Sequence, residues 1–136
     1  MLNISDKQKE EIGKICETFG VTLLLLFGSQ VSGKTHDESD IDLAFATKRK
    51  LSFKEHAKLN SEFQSILGKN RIDTVDLLTA GPLLKKLIFD EHNSLYIADK
   101  ELYYSMANYA MKSYIETKPL REYTRQFLHK KYVHDR

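Results

Sequence analysis

Between Gly20 and Gly28 runs a seven-residue segment, Val21 to Phe27, in which every residue but Thr22 is apolar. A stretch this short, this apolar and this abruptly bounded suits a β-strand buried on both faces. Such a strand must sit centrally in whatever fold the chain adopts, and the segments around it read accordingly. Upstream, Ser5-x-x-Gln8 is a capping-box signature, followed by Ile12, Ile15, Cys16 and Phe19 at helical spacing. Downstream, Ile41 to Ala46 reads as a second strand. Ser52-x-x-Glu55 is another capping box, whose helix carries Leu59, Phe63, Ile66 and Leu67 as far as Gly68. Arg71 to Leu78 reads as a third strand, and Pro82 opens a helix bearing Leu83, Leu84, Leu87 and Ile88. Ser94 to Ala98 has the length of a short edge strand, and from Lys100 the pattern is helical with one break at Pro119. The order predicts an α+β domain over residues 1–99 and a helical C-terminal extension over residues 100–136.

Composition narrows the classes. A chain of 136 residues with 41% apolar content has room and material for one real core. The longest apolar run is far too short to span a bilayer, and no secretory signal opens the chain, so the expectation is a soluble, cytoplasmic protein. A single cysteine, Cys16, excludes an intramolecular disulfide framework and a cysteine-built zinc site. The formal net charge of +2 argues against a dedicated polyanion binder. Charge is unevenly placed, however. Residues 1–116 carry 15 basic and 17 acidic groups, whereas residues 117–136 carry 6 basic against 2 acidic. That basic end is either a solvated helix or a docking segment.

Two motifs share the glycine that ends the first strand. Gly28 to Thr35, GSQVSGKT, satisfies the phosphate-loop pattern G-x-x-x-x-G-K-[ST]. A phosphate loop must open a crossover helix, but Thr35 is followed by only five residues before Ile41. The second pattern is Gly28-Ser29, ten residues, then Asp40-Ile41-Asp42. On a strand, positions two apart share a face, so Asp40 and Asp42 project together while Ile41 and Leu43 turn to the core. Adjacent carboxylates repel unless a cation lies between them, and an all-oxygen donor set suits Mg²⁺ or Mn²⁺. The Gly28-Ser29 amides and hydroxyl are placed to hold a phosphate. A third carboxylate is offered by the third strand, where Asp73 and Asp76 fall on opposite faces. Strand parity favours Asp73, although Leu78 makes the alternation imperfect.

The strand, the Gly28-Ser29 turn, Ser39-Asp40-Ile41-Asp42-Leu43 and Arg71-Ile72-Asp73-Thr74-Val75-Asp76-Leu77 together resemble the nucleotidyltransferase superfamily shared with DNA polymerase beta, specifically its minimal nucleotidyltransferase (MNT) branch. The resemblance covers roughly residues 4–98 and implies a small mixed sheet packed by helices. It also implies transfer of AMP from ATP to an acceptor hydroxyl, with two Mg²⁺ ions held by Asp40, Asp42 and Asp73 and the triphosphate by Gly28 and Ser29. Family members often carry arginines where this chain has Gln30 and Ser32; Lys34 either compensates for them or is an exposed loop lysine, the reading preferred here. The branch further implies an antitoxin that modifies a tyrosine of a partner HEPN toxin. No membrane association or direct nucleic-acid binding is expected.

The C-terminal helix offers two adjoining lines that bear on such a partner: Leu102, Met106, Tyr109 and Ser113, and Tyr103, Ala107, Ala110 and Tyr114. They either pack on the sheet or dock the partner. Arg125-x-x-x-His129 has the residues of a HEPN-type pair but the wrong spacing, and the five histidines form no ligand-spaced set. His36 and Lys48-Arg49-Lys50 read as solvated loop groups. Two rivals remain open: a non-catalytic antitoxin acting by occlusion, and a transferase acting on a small-molecule hydroxyl.

Overall fold

Both capping boxes form and fix where their helices begin. The computed structural model describes residues 2–33 and 40–132; Lys34, Thr35, His36 and Ser39 lie outside the described residues. The Ser5 hydroxyl accepts from the Gln8 N–H while the Gln8 side chain accepts from Ser5 N–H, starting α1 (Asp6–Phe19). Ser52 and Glu55 make the same exchange at the start of α3 (Phe53–Leu67). Between them run β1 (Val21–Phe27), a one-turn helix α2 (Ser29–Ser32) and β2 (Ile41–Thr47). The chain continues through β3 (Ile72–Asp76), α4 (Pro82–Asp90), β4 (Asn93–Ile97), α5 (Lys100–Glu116) and α6 (Lys118–Tyr132).

The strands form one sheet in the order β3-β2-β1-β4. β1 pairs antiparallel with β2 and with β4, while β2 and β3 are parallel and joined across α3. The sheet is therefore mixed, and the fold is the expected α+β one with a helical C-terminal pair. β1 is central and buried along its length up to Phe27, as its apolar run requires.

The two faces of the sheet bury separate clusters. Leu24, Leu26, Ile41, Leu43, Phe45 and Ile72 pack under α1 and α3 with Ile12, Cys16, Leu59, Phe63 and Leu67. Burial pushes the Cys16 thiol up to about 12, which makes it an inert packing group. On the other face, Leu23, Leu25, Ala44, Ala46 and Leu77 meet Ile88 of α4, with Tyr103 and Met106 of α5 packed alongside. Small side chains at Ala44 and Ala46 leave that space.

The two lines along α5 divide. Ala110 is buried and Tyr103, Met106, Ala107 and Tyr114 are half-buried, whereas Tyr109 is exposed. Tyr103 is tied to α4 by a hydrogen bond between its hydroxyl and His92 Nε2 (2.6 Å). From Lys118 to Lys131 every residue except Arg121 is exposed. Arg121 holds the joint between α5 and α6: it donates to Tyr114 O (2.8 Å) and Thr117 Oγ1 (2.5 Å) and lies over the Tyr114 ring. Pro119 sits in the first turn of α6, where its missing N–H costs nothing. Among the described residues no helix is long and apolar enough to cross a membrane.

Candidate active site

The carboxylates are set by strand register. Asp42 stands opposite Phe27 on β1 and opposite Asp73 on β3, so one lateral row runs Phe27–Asp42–Asp73 across three strands. Residues paired across a ladder share a face, which places both acids on the side of Ala44, Ala46 and Val75, away from α1 and α3. Asp40 precedes β2 and lies two residues from Asp42. Asp76 pairs instead with Phe45 and falls on the opposite face. Its carboxylate accepts from Leu78 N–H (2.9 Å), closing the turn after β3, a structural task that separates it from the acidic row.

Asp42 is the electrostatic centre of the group. Its carboxyl is pushed above the usual carboxylate range first by burial and then by the negative charges of Asp73 and Asp40. Among the described residues no three His, Cys, Asp or Glu side chains already close into a metal cage. The donor set nevertheless fits a hard divalent cation. It is all oxygen, it is half-buried at Asp42, and its mutual repulsion is of the kind that a cation removes.

Gly28 completes the row from the β1 side. Its φ of 79° and ψ of −150° belong to a region that only glycine adopts readily. A Cβ at this position would also collide with the Asp42 carboxylate. The backbone therefore passes directly against the acid. Ser29 then starts α2, whose turn is closed by Gly33 N–H donating to Ser29 O (3.1 Å). Gln30, at a position where arginine is common in the family resembled, is buried.

On the β3 flank lies a feature that the sequence alone does not predict. A cavity of about 300 Å³ opens between α3 and β3, lined among others by Phe53, His56, Asn60, Asp73 and Thr74. His56 Nε2 hydrogen-bonds Thr74 Oγ1 (2.6 Å), and its ring meets Phe45 edge-on. Phe53, His56, Ala57 and Asn60 form a helical line beside the core stripe of α3. An apolar Phe53 off that stripe was the one available signal. Arg125, Gln126, His129 and Lys130 line a wider hollow of about 500 Å³ along α6, remote in sequence from the acids.

Residues 10–101 match the family described as polymerase beta, nucleotidyltransferase. No curated protein matches the chain significantly. Among solved structures, a toxin–antitoxin complex with AMP-PNP superposes with a TM-score of 0.76 at 23% identity, covering 88% of this chain and 97% of that one. The MntA–HepT toxin–antitoxin gives 0.72 at 20% identity, covering 91% and 98%. A tri-AMPylated HEPN toxin in complex with MNT antitoxin, from Shewanella oneidensis, gives 0.71 at 20% identity, covering 90% and 96%. At these identities the likeness is one of fold.

Proposed function

Because the chain belongs to the polymerase beta nucleotidyltransferase family, we propose that it is a Mg²⁺-dependent protein adenylyltransferase of the MNT antitoxin kind. It transfers AMP from ATP to a tyrosine hydroxyl of a cognate HEPN toxin, in the cytoplasm. The observation that carries this reading is the row in which Gly28, Asp42 and Asp73 meet on one sheet face with Asp40 beside them. The solved complexes of similar fold, one holding AMP-PNP and one an AMPylated HEPN toxin, support the choice of nucleotide and partner.

Asp40 and Asp42 would hold the nucleotide-bound cation, and Asp73 would join them in holding a second. Bound there, divalent ions neutralise the phosphates and lower the pKa of the acceptor hydroxyl. The Gly28-Ser29 turn receives the outgoing phosphates, because at Gly28 the backbone meets the acids with no side chain between. The acceptor oxygen bonds to the α-phosphorus as the bond to the α–β bridging oxygen breaks, and pyrophosphate leaves with that electron pair. The hydroxyl proton passes to the Asp73 carboxylate.

The extension over residues 100–136 is the partner-docking segment in this reading. α6 supports it by presenting Leu120, Tyr123, Phe127 and Leu128 to solvent on a basic helix. The same surface would serve a purely occluding antitoxin, and Gln30 and Ser32 in place of arginines favour keeping that second reading. Intact-mass spectrometry separates the two: with Mg²⁺ and ATP the HEPN partner gains increments of about 329 Da, absent with Asp40→Asn/Asp42→Asn. A stable complex with no mass gain would establish occlusion instead.

A further inference from the structure

The acidic row has a direction. Gly28 lies at its β1 end and Asp73 at its β3 end, with Asp42 between. An in-line displacement brings the nucleophile from the side opposite the leaving group. With phosphates leaving toward Gly28-Ser29, the acceptor must arrive from the Asp73 flank. That flank is the edge strand β3, against whose α3-facing side the cavity opens; Asp73 belongs to its lining, although its carboxylate turns to the opposite face with Asp42.

The cavity is furnished for a polypeptide. Asn60 Oδ1 is buried there with no hydrogen-bond partner among the described residues, a costly arrangement that an incoming N–H would relieve. Phe53 stands at the groove with 93% of its surface exposed, although aromatic rings of its size are usually covered. β3 is also the outermost strand. Its ladder to β2 includes Arg71 O, accepting from Ile41 N–H, and Leu77 N–H, donating to Phe45 O. By the alternation of a parallel ladder, the N–H and C=O groups of Ile72 and Thr74 therefore face outward into the groove. A strand edge unpaired among the described residues, an unmet side-chain acceptor and an aromatic platform together match an extended peptide better than a free nucleotide or a sugar.

We propose that the α3–β3 groove is the acceptor subsite. It holds an extended segment of the partner protein along the free edge of β3, with Asn60 accepting a backbone N–H and Phe53 covering a side chain. Side chains of a strand added at that edge alternate between the two faces, so the residue next to the one under Phe53 turns to the opposite face and brings its hydroxyl beside Asp73. This assignment rests on the transferase reading and adds the determinant that selects the acceptor.

The test uses the full-length protein, the HEPN partner, Mg²⁺ and ATP. Phe53→Ala, which removes an exposed ring and leaves the core untouched, and Asn60→Leu are each expected to raise KM for the partner about tenfold. Affinity for AMP-PNP is expected to stay within about twofold of the wild type, since neither side chain meets the nucleotide in this arrangement. An unchanged partner KM in both variants overturns the proposal. Weakened AMP-PNP binding with an unchanged partner KM would assign the groove to the nucleotide. If the wild-type protein transfers nothing, the transferase reading has failed, and the groove is read without chemistry. A photo-crosslinking phenylalanine in place of Phe53 is then expected to capture the partner. Capture no better than from the same probe at exposed Lys9 of α1 overturns the groove assignment as well.

Discussion

At the scale of single residues, the site is built from groups that are uncomfortable in the free protein. Asp42 sits half-buried between two like charges, so its carboxyl titrates above the ordinary range. A carboxyl whose folded pKa is raised favours the fold fully below its unfolded pKa and loses that contribution as pH rises through the folded value. At neutral pH, without divalent cations, the Asp42 charge therefore works against folding. Asp42→Asn is expected to raise Tm at pH 7 in EDTA by a few °C, on the order of 3 °C. The gain should vanish in scans run below the ordinary carboxylate range. Mg²⁺ should stabilise the wild type and leave the variant where it was, as linkage to a site on the folded state requires. Glu55 is the contrasting case. Hydrogen bonds from Arg49 and Ser52 pull its carboxyl down to about 2, and it supports the start of α3 throughout the neutral range.

At the scale of elements, α3 does two jobs with two faces. Phe63 is fully buried against the sheet, while Phe53, ten residues earlier, is 93% exposed. Phe63→Ala should cost about 3–5 kcal/mol in urea unfolding, by lost transfer energy plus the cavity left behind. Phe53→Ala should leave the urea midpoint within error, since nothing packed is removed. These elements also show how far the sequence could be read. The capping boxes at Ser5 and Ser52, the strand between Gly20 and Gly28, and the Asp40-x-Asp42 pair were legible because each rests on a local rule of spacing or backbone conformation. The choice between Asp73 and Asp76 was only half legible. Parity put them on opposite faces, but it took the register of β3 against β2 to set Asp73 beside Asp42. The helix α2 was missed because four residues are too few to show any periodicity. Asn60 left no trace at all, since an unmet buried carbonyl oxygen is a product of tertiary packing.

At the scale of the whole molecule, the chain divides its apolar surface unequally. The sheet and the helices packed on it bury two continuous clusters, and α5 is anchored through Tyr103, Met106 and Ala110. α6 is left outside, with Leu120 65%, Tyr123 67% and Phe127 52% exposed on one helix. In the proposed reading, so exposed an apolar stripe serves to bind the partner. Phe127→Asp in the full chain is expected to leave Tm unchanged and to weaken the complex with the HEPN partner at least about tenfold in isothermal titration. A drop in Tm of several degrees with unaltered partner affinity would mean that the stripe serves the fold of this chain instead.

The central claim is that Asp40, Asp42 and Asp73, and not Asp76, form one cation site at the Gly28 turn. Titration of Mn²⁺ followed by electron paramagnetic resonance in the presence of AMP-PNP tests it most directly. Asp42→Asn and Asp73→Asn should each weaken Mn²⁺ binding by about tenfold or more, while Asp76→Asn leaves it at the wild-type value. Equal losses at Asp73 and Asp76, or full binding in the Asp42 variant, would contradict the account.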